Sequence, residues 1–158
     1  MPRRTTLAIW SRFCLFACGA CAGTCACGET KIQLGSNEQS ATSLAVDSIL
    51  LRQAKTAELI STLSSGAGPS ISLATLPSDD VSLEATVSGA VSSVQFVVDG
   101  ELNIQEVPPF TYPGDTNGQL EAFVAVVGVH SVTATPYSQT GAEGQRGTSL
   151  SRAFTFVE

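Results

Sequence analysis

VSSVQFVVDGELNIQ, residues 91–105, is the stretch that decides the fold. Val94, Phe96 and Val98 alternate with Ser93, Gln95 and Val97, a period of two that sends successive side chains to opposite faces of a strand. Leu102 and Ile104 resume the alternation after Asp99-Gly100. Both residues of that dipeptide tolerate positive φ, so Asp-Gly between two alternating runs predicts a tight hairpin.

The same grammar continues in both directions. Upstream, Val81, Leu83, Ala85 and Val87 alternate with Ser82, Glu84, Thr86 and Ser88. A turn at Ser78-Asp79-Asp80 precedes them, and before it Ile71, Leu73 and Leu76 run into Pro77. Ser64 to Pro69 reads as a loop. Downstream, Pro108-Pro109, Pro113-Gly114 and Asn117-Gly118 mark turns, and Phe123 to Val127 is an apolar run closed by Gly128. Val129, Ser131, Thr133 and Thr135 then oppose His130, Val132, Ala134 and Pro136. Gly141, Gly144 and Gly147 mark a last hairpin loop. Their spacing is not that of a nucleotide-binding fingerprint, and no strand-to-helix transition follows. Phe154 and Phe156 alternate with Ala153, Thr155 and Val157 in a closing strand. Short strands with frequent turns predict an all-β sandwich. Residues 44–63 are less decided. Val46, Ile49, Leu50, Ala57 and Ile60 fit one stripe of a helix, while Ser48–Leu51 fits a short buried strand with Glu58–Ile60 as a second element.

Charged residues make up only 14% of the chain, which with abundant Ser, Thr, Gly and Val fits a β-rich extracellular module. The formal charge is −6. Arg3, Arg4 and Arg12 stand at the N-terminus, and all 14 acidic residues follow Gly28 against five basic ones, leaving that part at −9. Such a surface repels phosphate backbones and anionic headgroups, so no nucleic acid is expected as a partner.

Residues 1–28 have the order of a secretory leader: cationic residues, an apolar start at Phe13–Ala17, then small residues. The apolar run is too short to span a bilayer, which takes about 20 residues, and no transmembrane span is expected elsewhere. All five cysteines, Cys14, Cys18, Cys21, Cys25 and Cys27, lie in this leader. Their compressed spacing lacks the second arm that closes a tetrahedral zinc site, so no metal is expected there. Leu15-Phe16-Ala17-Cys18-Gly19 resembles a bacterial lipobox, and Cys21 is a second candidate for lipidation. Cleavage after Ala20, Ala22 or Ala26 without lipidation stands beside it. Residues 29–41 are polar and read as a flexible stalk. With no cysteine after Cys27, the domain at 42–158 is expected to be stabilised by burial alone, as a monomer.

No catalytic constellation stands out. His130 is the only histidine, and Ser131 beside it on a strand points to the opposite face, so the two do not make a triad with Asp115. Glu106 and Asp115, the carboxylates of a remote hydrolase reading, are not paired by any spacing. Asp79, Asp80, Asp99 and Asp115 each have a turn explanation rather than the D-x-D-x-D-G run of a calcium loop. No cofactor is expected. Tyr112, Phe110 and Tyr137 lie near loops where aromatic rings could stack on sugars. Of these, Tyr112 is the candidate for an exposed, ligand-facing ring, and Phe110 and Tyr137 read as core or corner residues.

Taken in order, Ile71–Pro77, Val91–Gly100, Glu106–Phe110, Gly114-Asp115, Gly128–Tyr137 and Phe154–Val157 resemble the bacterial immunoglobulin-like modules of secreted and surface proteins. The resemblance covers residues 42–158 and departs at Phe110, where Tyr is commoner, and at Phe123, where Trp is commoner. It implies an immunoglobulin-like antiparallel β-sandwich, with residues 46–63 as strand and loop. The expectation is therefore a non-catalytic, exported module, free or lipid-anchored at the cell envelope. Its role would be adhesive, spacer or binding, toward a cell-surface protein or glycan, with a carbohydrate-binding module as the alternative.

Overall fold

Alternation becomes architecture in the computed structural model, which describes residues 43–66 and 68–158. The leader expected at 1–28, with Cys18 and Cys21, and the stalk at 29–41 lie outside the described residues. Thirteen strands follow one another: β1 Ala45–Gln53, β2 Leu59–Thr62, β3 Ser70–Ser72, β4 Asp80–Ser88, β5 Ser93–Val98, β6 Glu101–Gln105, β7 Phe110–Tyr112, β8 Asp115–Thr116, β9 Gln119–Leu120, β10 Phe123–Val124, β11 Gly128–Gln139, β12 Glu143–Arg146 and β13 Leu150–Val157. Two short 3-10 turns at Leu73–Thr75 and Thr140–Ala142 are the only helical pieces among the described residues.

One sheet has the order β10-β4-β1-β2, with β7 also paired to β4. The other has the order β3-β13-β11-β5-β6, with β12 also paired to β11, and β8-β9 is a separate hairpin. Residues 45–62 are therefore strand, loop and strand, not a helix, and the second element of the sequence reading is the strand β2. Their apolar residues do not form one stripe, because Ile49 and Leu51 point into the core while Leu50 between them does not.

The expected all-antiparallel arrangement needs one correction. β3 runs parallel to β13, with Phe156 opposite Ile71, so the second sheet is mixed. The chain leaves the first sheet after β2 and arrives at the edge of the second, where it meets the closing strand in the same direction.

Both inner faces contribute to one core. Val46, Ile49, Leu51, Val81, Leu83 and Ala85 come from the first sheet, and Val94, Phe96, Val98, Val132, Ala134, Phe154 and Phe156 from the second. Phe96, Phe154 and Phe156 are fully buried. The predicted Asp99-Gly100 hairpin is present. Asp99 has φ 50 and Gly100 φ 90, both positive as a type I′ turn requires, and they join β5 to β6 with Val98 opposite Glu101. The Gly141 region likewise reverses the chain between β11 and β12.

Candidate functional site

Tyr112, the ring expected to face a ligand, is buried at 6% exposure. The reason is β7. Three residues between two turn signals suffice to pair with β4, placing Tyr112 opposite Leu83. The ring then packs between Phe96, at 6.3 Å, and Phe123, at 5.7 Å between centroids. Its hydroxyl donates to Glu101 at 3.2 Å. Burial, followed by the charge and hydrogen bond of Glu101, raises the phenol pKa above its ordinary value. Neither ring face is open to a sugar. Phe110 is also core, as expected, and Tyr137 is half-buried with its hydroxyl donating to Gln95 at 3.0 Å.

Around Tyr112 the open edge of the sandwich is closed by polar groups. On β6, Asn103 and Gln105 share the side occupied by Phe96 and Val94, their cross-strand partners. Both donate to the Pro113 carbonyl at 3.0 Å, and Gln105 also donates to Asn103 at 2.6 Å. These amides satisfy the backbone of a turn at the sandwich edge, which leaves them structurally committed.

The candidate carboxylates do not converge. Glu106 accepts the Gly141 backbone N–H at 2.8 Å, and Asp115 accepts that of Gly118 at 3.1 Å, each stabilising its own loop. Among the described residues no group of three or more His, Cys, Asp or Glu is arranged to hold a metal ion.

Asp99 and His130 do come together, which the sequence reading missed. Strand β11 lies beside β5, with Val132 opposite Val98, so His130 arrives next to the β5–β6 turn. Asp99 Oδ2 meets His130 Nδ1 at 2.7 Å, while Oδ1 accepts the Ser131 backbone N–H at 2.7 Å and its hydroxyl at 3.3 Å. The other ring nitrogen, Nε2, reaches the Val126 carbonyl at 2.7 Å. With an acceptor facing each nitrogen, the neutral ring of His130 aims its lone pair at an acceptor rather than at a nucleophile.

What remains open is surface. A groove of about 290 Å³ beside edge strand β2 is lined by Gln53, Glu58, Leu59, Ile60, Leu76 and Pro77. Broader than this is the outer face of the second sheet. Leu102, Val97, Thr133 and Ser151 form one row across β6, β5, β11 and β13, and Ile104 and Gln95, with the buried Thr135, form the next. Ser131 and Ala153 form a third row, and Val129, Thr155 and Ser70 a fourth. No charged residue stands in these four rows. Asp99 borders the face at one end, and Glu143 and Arg146 on β12 border it at the other. In comparisons with known proteins, the chain matches no family model, no curated protein and no solved structure.

Proposed function

We propose that this chain is an exported, non-catalytic immunoglobulin-like module that binds, adheres or spaces at the cell envelope or outside the cell. The observation that carries the reading is the uncharged outer face of β3-β13-β11-β5-β6, in a chain whose formal charge is −6. A face of hydroxyl, amide and aliphatic groups costs less to desolvate against an uncharged partner than a charged face would. The engagement of both His130 nitrogens supports the absence of acid–base chemistry at the single histidine.

A second reading, a carbohydrate-binding module, is favoured by the same face. Gln95 accepts from the half-buried Tyr137, and Thr133 and Ser151 hydrogen-bond each other two rows away, a set of uncharged polar groups and one aromatic ring suited to a neutral glycan. The test is Thr133→Arg, which sets a charge in the row of Leu102, Val97 and Ser151 without entering the core. Wild-type and variant are compared for melting temperature, for adhesion to cell envelopes and on a glycan array. Loss of binding at an unchanged melting temperature is expected, and binding indifferent to the added charge would refute the assignment of this face. Export, with Cys18 or Cys21 as the lipidated residue, rests on the order of Arg3-Arg4, apolar core, small residues and cysteine. Mass spectrometry of the mature N-terminus tests it: a diacylglyceryl mass supports the anchor, an unmodified start after Ala20, Ala22 or Ala26 removes it, and an intact Met1 removes export as well.

A further inference from the structure

His130 is held in a way that only its protonated form can satisfy. Nδ1 lies 2.7 Å from a carboxylate oxygen of Asp99 and Nε2 lies 2.7 Å from the Val126 carbonyl, and neither partner has a proton to give when Asp99 is ionised. A neutral imidazole carries one N–H and donates to one of them; the imidazolium donates to both. The ring is stacked on Phe154 and meets Phe156 at its edge, each at 5.4 Å, so it cannot swing aside without uncovering two fully buried rings.

What the second bond holds is the segment between β10 and β11. Its valines face solvent: Val126 is 59% and Val127 51% exposed. Ala125 is buried and donates to the Asp79 carbonyl at 2.8 Å, which fixes one end of the segment. The Val126 carbonyl on His130 fixes the stretch that follows.

We propose that Asp99, His130 and the Val126 carbonyl form a proton-dependent latch, in which the His130 imidazolium fastens the valine-bearing segment 125–127 to the β5–β6 turn and loss of its proton releases it. The groups that face the ring are few. The β5–β6 turn supplies Asp99, β11 supplies Ser131, the segment supplies a carbonyl, and β13 supplies Phe154 and Phe156, which do not titrate. Burial pulls the His130 pKa down, but the Asp99 hydrogen bond, the Val126 hydrogen bond and the Asp99 charge outweigh it, leaving a value above the ordinary 6.5. For Asp99, burial acts upward, and the bonds from His130 and Ser131 with the His130 charge outweigh it, leaving a value below the ordinary 3.8. The latch is thus closed between those two values and opens as pH rises through the raised pKa of His130.

The test is NMR on the full chain from pH 5 to 9. The sole histidine reports its own titration through its ring resonances, and amide protection factors report residues 125–127, where the Ala125 N–H is bonded to the Asp79 carbonyl. The expected result is a ring midpoint above 6.5, with protection of the segment falling at the same midpoint. Asp99→Asn keeps a turn residue that tolerates positive φ while removing the charge, so it should lower both midpoints together. His130→Gln should abolish the pH step in protection. A ring midpoint at or below 6.5, protection that ignores the ring, or midpoints unmoved in Asp99→Asn would each overturn the latch. If His130→Gln does not fold, the Asp99→Asn result decides alone.

Discussion

Gly68 stands where the chain crosses from the first sheet to the second, and replacing it with alanine tests how closely the crossover approaches the closing strand. Two costs add there. The first is conformational, since Gly68 has φ +75, a region that costs an L-residue about 1–2 kcal/mol. The second is steric, since a Cβ at this position would lie 1.7 Å from the Ala153 carbonyl oxygen and 3.2 Å from the Phe154 Cα. Both are backbone atoms of β13, which is held by β11 on one side and β3 on the other and cannot yield as a flexible side chain would. The crossover must retreat instead. That strains the bond from the Thr155 N–H to the Pro69 carbonyl, at 3.0 Å, and the entry of Ile71 into the core. Overpacking of this kind costs about 1–3 kcal/mol, so Gly68→Ala should destabilise by about 2–5 kcal/mol in all.

Gly100→Ala is the control. It shares the conformational cost, with φ +90, but a Cβ there meets nothing within 4 Å. Its loss should stay near 1 kcal/mol. Thermal unfolding followed by circular dichroism separates the two. At about 4 °C per kcal/mol for a domain of this size, the Gly68 variant should melt well below the Gly100 variant. Equal melting temperatures would refute the close approach of the crossover to β13.

Three further outcomes are expected. Residues 42–158 should fold alone without metal, with circular dichroism dominated by β-structure; a helical spectrum would contradict the observed fold. Phe96→Ala should cost about 3–5 kcal/mol in urea unfolding, because Phe96 is fully buried against Tyr112, and a loss under 1 kcal/mol would mean that the ring is not in the core. The part of the stability that comes from His130 should be fully present below pH 6.5 and fade as pH rises through its raised value, whereas the part from Asp99 should fade as pH falls through its lowered one. Urea midpoints against pH, compared with those of Asp99→Asn, check both limbs, and parallel curves would rule out the pair as the source.

Local rules made most of the strands readable and most of the site unreadable, for one physical reason. Alternation and turn chemistry act over a few residues, so Val81–Ser88, Ser93–Val98 and the Asp99-Gly100 turn could be read from the chain directly. Residues 45–62 could not, because apolar residues at Val46, Ile49, Leu50 and Ile60 satisfy a helical stripe as well as two strands, and only pairing with β4 selects between them. Tyr112 was misplaced because a three-residue strand between Pro109 and Pro113 looks like loop, while its burial depends on β4, some thirty residues away in sequence. The Asp99–His130 contact lay further out of reach. Asp99 already had a sufficient local explanation in its turn, and nothing near His130 calls for a carboxylate. The pair exists because β11 returns beside β5 in one register, Val98 opposite Val132, and a slip of a single residue would turn His130 to the outer face and Ser131 inward. A second role for a turn residue therefore becomes visible only once the neighbouring strand and its register are fixed, and here that register puts the sole histidine between a carboxylate and a carbonyl.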